Sequence, residues 1–201
     1  LTETHHRITN HLQLISSLLN LQSNAVEDES ARQALRSSQN RVRAIAVLHQ
    51  HLYSLAMGQA GSLQEFVSGL VEHLRQCFGI TEQQVKVNLD LQDARIRDEW
   101  VMPVALILNE AISNAFKHAF PAARSGLIEI QLTLGEQDGH LIVRDNGVGL
   151  PPGFDAAQSL GLGLKVIGVF AEQMRGRISL KNIEDIGLLF DLHFPIACVD
   201  N

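Results

Sequence analysis

The sequence predicts two structural parts: an α-helical hairpin over residues 1–60 and an α/β two-layer sandwich over residues 61–201. Two observations predict this division. Residues 1–57 contain neither proline nor glycine and carry apolar residues at helical spacing. From residue 62 onward, helical patterns alternate with short strand patterns, which is typical of a sheet covered by helices.

The first part reads as two long helices joined by a polar turn at 24–30, with the first helix ending at Ser23 or Asn24. The seam of the first helix comprises Leu1, Ile8, Leu12, Ile15 and Leu19. The seam of the second comprises Leu35, Val42, Ile45 and Leu52, flanked by Leu48. One hairpin leaves such seams half covered, so we expect two copies to form a dimeric four-helix bundle. A linker with Gly58, Gly61 and the candidate N-cap Ser62 follows.

The second part is predicted to contain three helices and five strands. Valine and leucine alternate with polar residues over 84–91, which predicts a strand. The helices are predicted at 62–78, 99–119 and 161–174, and the further strands near 127–134, 140–145, 177–182 and 188–194. We expect mostly antiparallel strands, with the three helices on one face of the sheet.

Four polar side chains on the 99–119 helix form a candidate site. A helix turns by about 100° per residue, which places Glu110, Asn114, Lys117 and His118 in one quadrant. The apolar side comprises Val101, Val104, Ala105, Leu108, Ala111, Ile112, Ala115 and Ala119. The polar quadrant could coordinate a hydrated cation and neutralise phosphates. A solvated helix face would show the same stripe, so its interpretation depends on other motifs.

Two glycine clusters lie further along the chain. Asp145-Asn-Gly-Val-Gly149 follows a predicted strand, where a carboxylate could accept a hydrogen bond from an exocyclic amine. Its glycines would let the backbone approach a flat ring. Ser159-Leu-Gly-Leu-Gly-Leu164 precedes an apolar helix, and free amides at a helix N-terminus bind phosphate. Each cluster alone is a common turn pattern, but the ordered set is far more specific.

Composition excludes several classes of protein. The net charge of −6, with one Trp and one Tyr, argues against nucleic-acid binding. The nine histidines follow no zinc-ligand pattern, and Cys77 and Cys198 read as isolated buried thiols. No apolar run approaches the roughly 18 residues of a membrane span, so we expect a cytoplasmic segment without membrane contact. Because the chain begins at Leu1, we expect it to be part of a longer protein.

Residues 105–195 resemble the GHKL, or Bergerat, ATP-binding domain shared by histidine kinases, gyrase, Hsp90 and MutL. Glu110–His118 match its N-box, and the two glycine clusters match its two glycine boxes. The stretch Glu3–Gln13 resembles the H-box of sensor histidine kinases with a His-His-Arg signature, and the match continues to Gln22. The resemblance implies a homodimeric kinase that phosphorylates its own histidine from Mg-ATP. The phosphoryl group would then pass to an aspartate of a response-regulator receiver domain.

The H-box resemblance identifies His6 as the phosphoacceptor, because the acceptor directly precedes arginine, here Arg7. Helix geometry favours the same residue: His6 lies about 160° from the seam, whereas His5 lies about 60° away. Many sensor kinases have a carboxylate where Arg7 stands, so the base must come from elsewhere. Glu110 is our candidate base and Glu3 the second candidate. Arg7 could instead steady the transferring phosphate.

At the adenine end of the nucleotide, the resemblance implies that Asp145 binds the exocyclic amine, with Gly147 and Gly149 beside the ring. The backbone amides that would wrap the phosphates belong to Gly161, Leu162, Gly163 and Leu164.

At the metal and phosphate end, the resemblance implies that Asn114 binds Mg²⁺, with Glu110 as a tentative second ligand. Lys117 and His118 would pair with phosphate oxygens.

Two departures from the family pattern stand out. Only residues 150–158 separate the glycine boxes, so we expect a short ATP lid. Related kinases often have Gly-Gly-Thr before the last strand, whereas this chain has Ile186-Gly187-Leu188 and lacks the hydroxyl. Two alternatives stay open: a histidine phosphotransferase whose second domain does not bind ATP, and a GHKL anti-sigma-type serine kinase. The N-terminal hairpin disfavours the second.

Overall fold

In the computed structural model, the chain folds into two units, which comprise residues 1–62 and 63–201. The structure describes residues 2–56, 63–92, 98–154, 162–183 and 187–196. The predicted linker around Gly58, Gly61 and Ser62 therefore lies outside the described residues. None of the described helices combines the length and apolar character that crossing a bilayer requires.

The first unit is the predicted helical hairpin, formed by α1 (Thr2–Ala25) and α2 (Glu29–Ala56). The turn between them is shorter than the predicted 24–30, because α1 continues past Asn24 and α2 begins at Glu29. Asp28 caps the second helix: its Oδ1 accepts a 2.7 Å hydrogen bond from the N–H of Ala31. This cap satisfies one of the donors that a helix start leaves unpaired, so α2 begins earlier than predicted.

In the described part of α1, the buried residues are not the large apolar ones of the predicted seam. Ser16 and Ser23 are buried there, and Arg43 Nε donates a 3.3 Å hydrogen bond to Ser16 Oγ across the hairpin. Of the predicted seam residues, Leu12 and Leu19 are half-buried, but Ile15 is exposed. Several larger apolar side chains of α1 are exposed instead. Four of these are 44% to 65% exposed: Leu14, Ile15, Leu18 and Leu21.

The second unit contains all the predicted helices and strands. Its helices are α3 (Leu63–Phe78), α4 (Asp98–Asn114) and α5 (Leu162–Gln173). Its strands are β1 (Val85–Leu91), β2 (Gly126–Leu134), β3 (Asp138–Asp145), β4 (Arg177–Ile183) and β5 (Gly187–Pro195). The predicted 99–119 helix is α4 followed by a π-helical turn, Ala115–Ala119. A 3₁₀ turn, Pro121–Ala123, then leads towards β2.

The five strands form one sheet in the order β1-β2-β3-β5-β4. The pair β1–β2 is parallel and the other three pairs are antiparallel. Alternate residues of the central strands are buried on one face: Ile128, Ile130, Leu132, Leu141, Val143, Phe190, Leu192 and Phe194. Helices α3, α4 and α5 pack on the sheet through β1, β3 and β4 respectively. The predicted α/β two-layer sandwich is therefore confirmed.

One expectation about the cysteines is wrong. Cys77 lies in the last turn of α3 and is exposed, with its Sγ 3.5 Å from His73 Nε2 of the preceding turn. The pattern of α3 is amphipathic, and Cys77 falls on its outer side, so the general tendency of cysteine to be buried does not decide its position. Cys198 lies outside the described residues.

Candidate functional site

A cavity of about 670 Å³ opens in the second unit, between α4, the loop after β3, the start of α5 and the strands β4 and β5. This volume is typical of a pocket for a small organic ligand. The described residues that line it on α4 and its π-turn are Ala111, Asn114, Ala115, His118 and Ala119. The strands and loop contribute Val143, Asp145, Val148, Gly149, Leu150, Pro151, Pro152, Phe154, Leu180, Leu188 and Phe190, and α5 contributes Gly163, Leu164 and Ile167.

Asp145 is the carboxylate of this cavity. It ends β3 and is only 5% exposed. Its Oδ1 accepts hydrogen bonds from the backbone N–H of Gly147 at 2.8 Å and of Leu188 at 3.3 Å. Burial raises the pKa of Asp145, and these two hydrogen bonds partly counteract the rise. The result is a carboxylate of fixed orientation that can accept a hydrogen bond from an amino group of a ligand.

Two glycines allow the backbone to close around Asp145. A Cβ at Gly147 would overlap the backbone of Ala119, which in turn accepts a 3.0 Å hydrogen bond from Val148 N–H. Gly187 has φ 111°, and a Cβ there would lie 2.8 Å from Asp145 Oδ1 and 2.6 Å from Gly147 N. Sequence reasoning treated Gly187 only as the neighbour of a missing threonine. Gly187 is the first residue of β5, and a glycine at this position of a strand is the sequence signal for such a close approach of the backbone.

Asn114 and His118 face the cavity from α4 and its π-turn. Burial lowers the pKa of His118, and the nearby Lys117 charge lowers it further. The neutral imidazole is therefore favoured in the free protein, although the residue as a whole is exposed. A neutral ring next to a cavity can donate one hydrogen bond and become charged when an anion arrives.

Glu110 and Lys117 are not among the described residues that line the cavity. Glu110 is 4% exposed, and its Oε1 accepts a 3.2 Å hydrogen bond from Asn109 Nδ2. Lys117 Nζ lies 5.5 Å from the centre of the Phe78 ring, at the end of α3. The predicted quadrant is therefore divided: two members line the cavity and two do not. The burial of Glu110 shows that this member of the stripe does not belong to a solvated helix face.

The second glycine cluster meets the cavity where α5 begins. Gly163 and Leu164 line it, whereas Gly161 lies outside the described residues. Leu162 is the first residue of α5, and only its backbone is described. The first four N–H groups of a helix have no partner within the helix, so this end can bind an anion.

The predicted acceptor His6 and its neighbour Arg7 lie in α1 of the other unit. The structure describes their backbone as helical, and their side chains are outside the described part of the chain. The helical backbone agrees with the assumption behind the angular argument for His6.

The possible metal ligands at the cavity fit a magnesium ion that would be bound mainly through phosphates. The described residues contain no cluster of three or more His, Cys, Asp or Glu that could hold a metal ion. Mg²⁺ typically uses one or two protein ligands and completes its shell with water and phosphate oxygens. The carboxamide oxygen of Asn114 is a suitable ligand on the cavity wall, whereas Glu110 lies off that wall.

The fold and the cavity define an ATPase domain of the type that histidine kinases share with gyrase and HSP90. Residues 101–197 match the family described as histidine kinase-, DNA gyrase B- and HSP90-like ATPase. Residues 3–78 match a second family, described as histidine kinase. The two matches together span most of the chain, which therefore belongs to the histidine kinases, a family of ATP-dependent enzymes.

Full-length relatives support this membership. The sensor histidine kinase PdtaS of Mycobacterium tuberculosis is 26% identical over 197 residues, which are 97% of this chain and 39% of that protein. A blue-light-activated histidine kinase of Rhizobium johnstonii is 30% identical over 198 residues, which are 98% of this chain and 53% of that protein. The chain thus spans about two fifths of the length of PdtaS.

A solved structure shows the same fold. The histidine kinase domain of a blue-light-activated histidine kinase from Erythrobacter litoralis superposes with a TM-score of 0.69 at 21% identity. The superposition covers 97% of this chain and 92% of that chain. At this level of identity the likeness concerns the fold.

Proposed function

We propose that this chain phosphorylates His6 from Mg-ATP and passes the phosphoryl group to an aspartate of a response-regulator receiver domain. Residues 1–60 would form the dimerisation and phosphotransfer hairpin, and residues 61–201 the ATP-binding catalytic domain. The observation that carries the proposal is the buried, backbone-fixed Asp145 on the wall of a cavity of about 670 Å³.

The cavity suits ATP in both shape and chemistry. Its wall is largely apolar, which suits a purine ring, and the Asp145 carboxylate accepts a hydrogen bond from the exocyclic amine of adenine. The phosphates would contact Asn114, His118 and the N–H groups at the start of α5. A magnesium ion held by Asn114 would neutralise charge on the phosphates.

The transfer step requires an unprotonated ring nitrogen of His6. That nitrogen forms a bond to the γ-phosphorus, the bond from phosphorus to the bridging β,γ-oxygen breaks, and ADP leaves with the electron pair. The phosphorylated ring must then lose the proton of its other nitrogen. Glu110 is our candidate for the acceptor of that proton, since Arg7 stands where related kinases often have a carboxylate. Arg7 would pair with the transferring phosphate.

We further propose that the hairpin forms a homodimer. The four exposed apolar side chains of α1 support this, because a contiguous apolar surface of this kind marks an interface. A second hairpin would cover Leu14, Leu18 and Leu21 and complete a four-helix bundle. A receiver domain would dock on the same bundle near His6. Because ATP and receiver domains are cytoplasmic, the core would act in the cytoplasm.

The test is incubation of the purified chain with γ-labelled ATP and Mg²⁺, followed by treatment with acid or base. We expect label on the protein that is labile in acid and stable in base, and that moves to an added receiver domain. Absence of label would favour a histidine phosphotransferase with a second domain that does not bind ATP. Label that is stable in acid would favour a serine kinase.

A further inference from the structure

We propose that Asn182 is a positioning residue for the nucleotide site, because its side chain holds the wall of the cavity formed by Gly149 and Leu150. Asn182 lies near the end of β4, and neither glycine box includes it. The inference rests on the proposed binding of ATP in this cavity, and it assigns a role to a residue that does not line it.

The carboxamide of Asn182 forms two hydrogen bonds with the backbone of a single residue. Its Oδ1 accepts from the N–H of Leu150 at 2.7 Å, and its Nδ2 donates to the carbonyl oxygen of Leu150 at 2.9 Å. The side chain thereby satisfies both backbone groups of Leu150, as a neighbouring strand would. Only a carboxamide of this length presents one donor and one acceptor side by side, so aspartate, serine and alanine cannot replace both bonds.

Gly149 permits this close approach. It has φ 69°, in the left-handed region that favours glycine. A Cβ at this position would lie 2.8 Å from Oδ1 and 3.2 Å from Cγ of Asn182. A larger residue at 149 would therefore push the Asn182 side chain away from Leu150.

The Asn182 contact is one of several hydrogen bonds that anchor the loop after β3 to neighbouring segments. Asn146 N–H donates to Leu127 O at 3.1 Å, and Val148 N–H donates to Ala119 O at 3.0 Å. Leu150 is anchored by Asn182, and two prolines follow it directly. Prolines have no N–H, so Leu150 is the last position before them where an N–H can hold the loop. Pro151 and Pro152 continue the described wall of the cavity. The position of this wall therefore depends on the hydrogen bonds between Asn182 and Leu150.

Asn182 also adjoins the strand that orients the carboxylate. In the β4–β5 register it pairs with Leu188, whose N–H donates to Asp145 Oδ1 at 3.3 Å. One strand pair therefore supports two separate parts of the cavity, the carboxylate and the Gly149–Leu150 wall. Because Asn182 itself is exposed, replacing it removes the two hydrogen bonds without opening a hole in the core.

The test compares Asn182→Ala and Asn182→Asp with a matched control, Gln92→Ala. Gln92 also bonds a backbone group by its side chain, accepting from Leu134 N–H at 2.7 Å, but at the opposite end of β2 from the cavity. For each purified chain, histidine labelling is measured over a range of ATP concentrations, and thermal unfolding is measured in parallel. Asn182→Asp keeps the acceptor but places a carboxylate oxygen against the carbonyl oxygen of Leu150. Its apparent affinity for ATP should therefore fall at least as far as that of Asn182→Ala.

We expect Asn182→Ala to raise the ATP concentration for half-maximal labelling by about tenfold, as the loss of one or two neutral hydrogen bonds implies. Its rate at saturating ATP should stay within about twofold of wild type, because the reacting groups are untouched. Gln92→Ala should shift the unfolding temperature by a similar amount and leave the ATP dependence unchanged. An unchanged ATP dependence in a folded Asn182→Ala, or an equal change in Gln92→Ala, overturns the inference alone. A wild-type chain that takes no label overturns the proposed function, and this inference with it.

Discussion

Asp145 Oδ1 accepts a 3.3 Å hydrogen bond from the backbone N–H of Leu188, which joins the end of β3 to the start of β5. A second hydrogen bond, 2.8 Å from Gly147 N–H, fixes the same oxygen. Both donors are backbone groups, so the carboxylate is oriented by the sheet and the glycine turn. We therefore expect ATP binding in this cavity to depend on the orientation of the Asp145 carboxylate.

The substitution Asp145→Asn should lower the affinity for ATP without lowering the stability of the fold. Burial raises the pKa of Asp145, so its stabilising contribution is present below the ordinary aspartate pKa and is lost as pH rises through the raised value. At neutral pH the ionised group therefore disfavours folding. Asparagine keeps the oxygen that accepts both backbone hydrogen bonds and removes the charge. We expect an unfolding temperature at pH 7 equal to or above that of wild type, with ATP affinity about 100-fold lower.

Thermal unfolding and calorimetric titration with ATP measure the two effects of this substitution. A variant that unfolds earlier yet binds ATP normally would contradict the role assigned to Asp145. The stability difference between the two chains should shrink as pH falls towards the ordinary aspartate pKa of 3.8.

His118 should make ATP binding depend on pH. Its lowered pKa means that its stabilising contribution to the fold is present above the ordinary value of 6.5 and is lost as pH falls through the lowered value. Phosphates close to the ring would raise that pKa, so binding should take up protons and strengthen as pH falls from about 8 to 6. Calorimetry in two buffers of different ionisation enthalpy measures the uptake. Equal proton uptake in His118→Gln would assign the effect to another group.

Gly187→Ala should damage both the fold and the site. The residue has φ 111°, and an added Cβ would crowd Asp145 Oδ1 at 2.8 Å. We expect a loss of about 2–4 kcal/mol in the free energy of unfolding, together with loss of ATP binding. The control is Gly69→Ala in α3, where a Cβ meets no atom within 4 Å. It should stabilise the protein by about 0.5–1 kcal/mol. Similar denaturant midpoints for the two variants would refute the steric argument.

Glu110→Gln tests the assignment of the base. Glutamine keeps the oxygen that accepts from Asn109 Nδ2, so the buried surroundings are preserved. Because Glu110 is not among the described cavity residues, ATP affinity should stay within about twofold of wild type. The rate of histidine labelling should fall by about 100- to 10,000-fold if this carboxylate accepts the proton. A full labelling rate in the variant would show that the base is another group.

Sequence patterns predicted the second unit well because the helical spacing of apolar residues and their alternation in strands are both strong there. The alternation in β2, with Ile128, Ile130 and Leu132 buried, fixes which face meets the helices. The π-turn at Ala115–Ala119 was not predicted, since its residues are equally compatible with an α-helix. In the first unit, the predicted seam consists of large apolar residues, but Ile15 of that seam is exposed and Ser16 and Ser23 are buried.

The site was only partly predictable for a different reason. The sequence pattern predicts an apolar side of the N-box helix that includes its alanines, with the four polar residues on the opposite side. A ligand cavity is itself largely apolar, however, so Ala111, Ala115 and Ala119 share the cavity face with Asn114 and His118. The contributions of Gly187 and Asn182 depend on contacts between segments that are distant in sequence. No local pattern reports such contacts.

The most direct measurement is the site of labelling in His6→Ala and His5→Ala, each incubated with γ-labelled ATP and Mg²⁺ beside the wild-type chain. We predict acid-labile label in the wild type and in His5→Ala, and none in His6→Ala. Label retained in His6→Ala and lost in His5→Ala would contradict the choice of acceptor. Absence of such label from the wild-type chain would contradict the proposal that this core is an active histidine kinase.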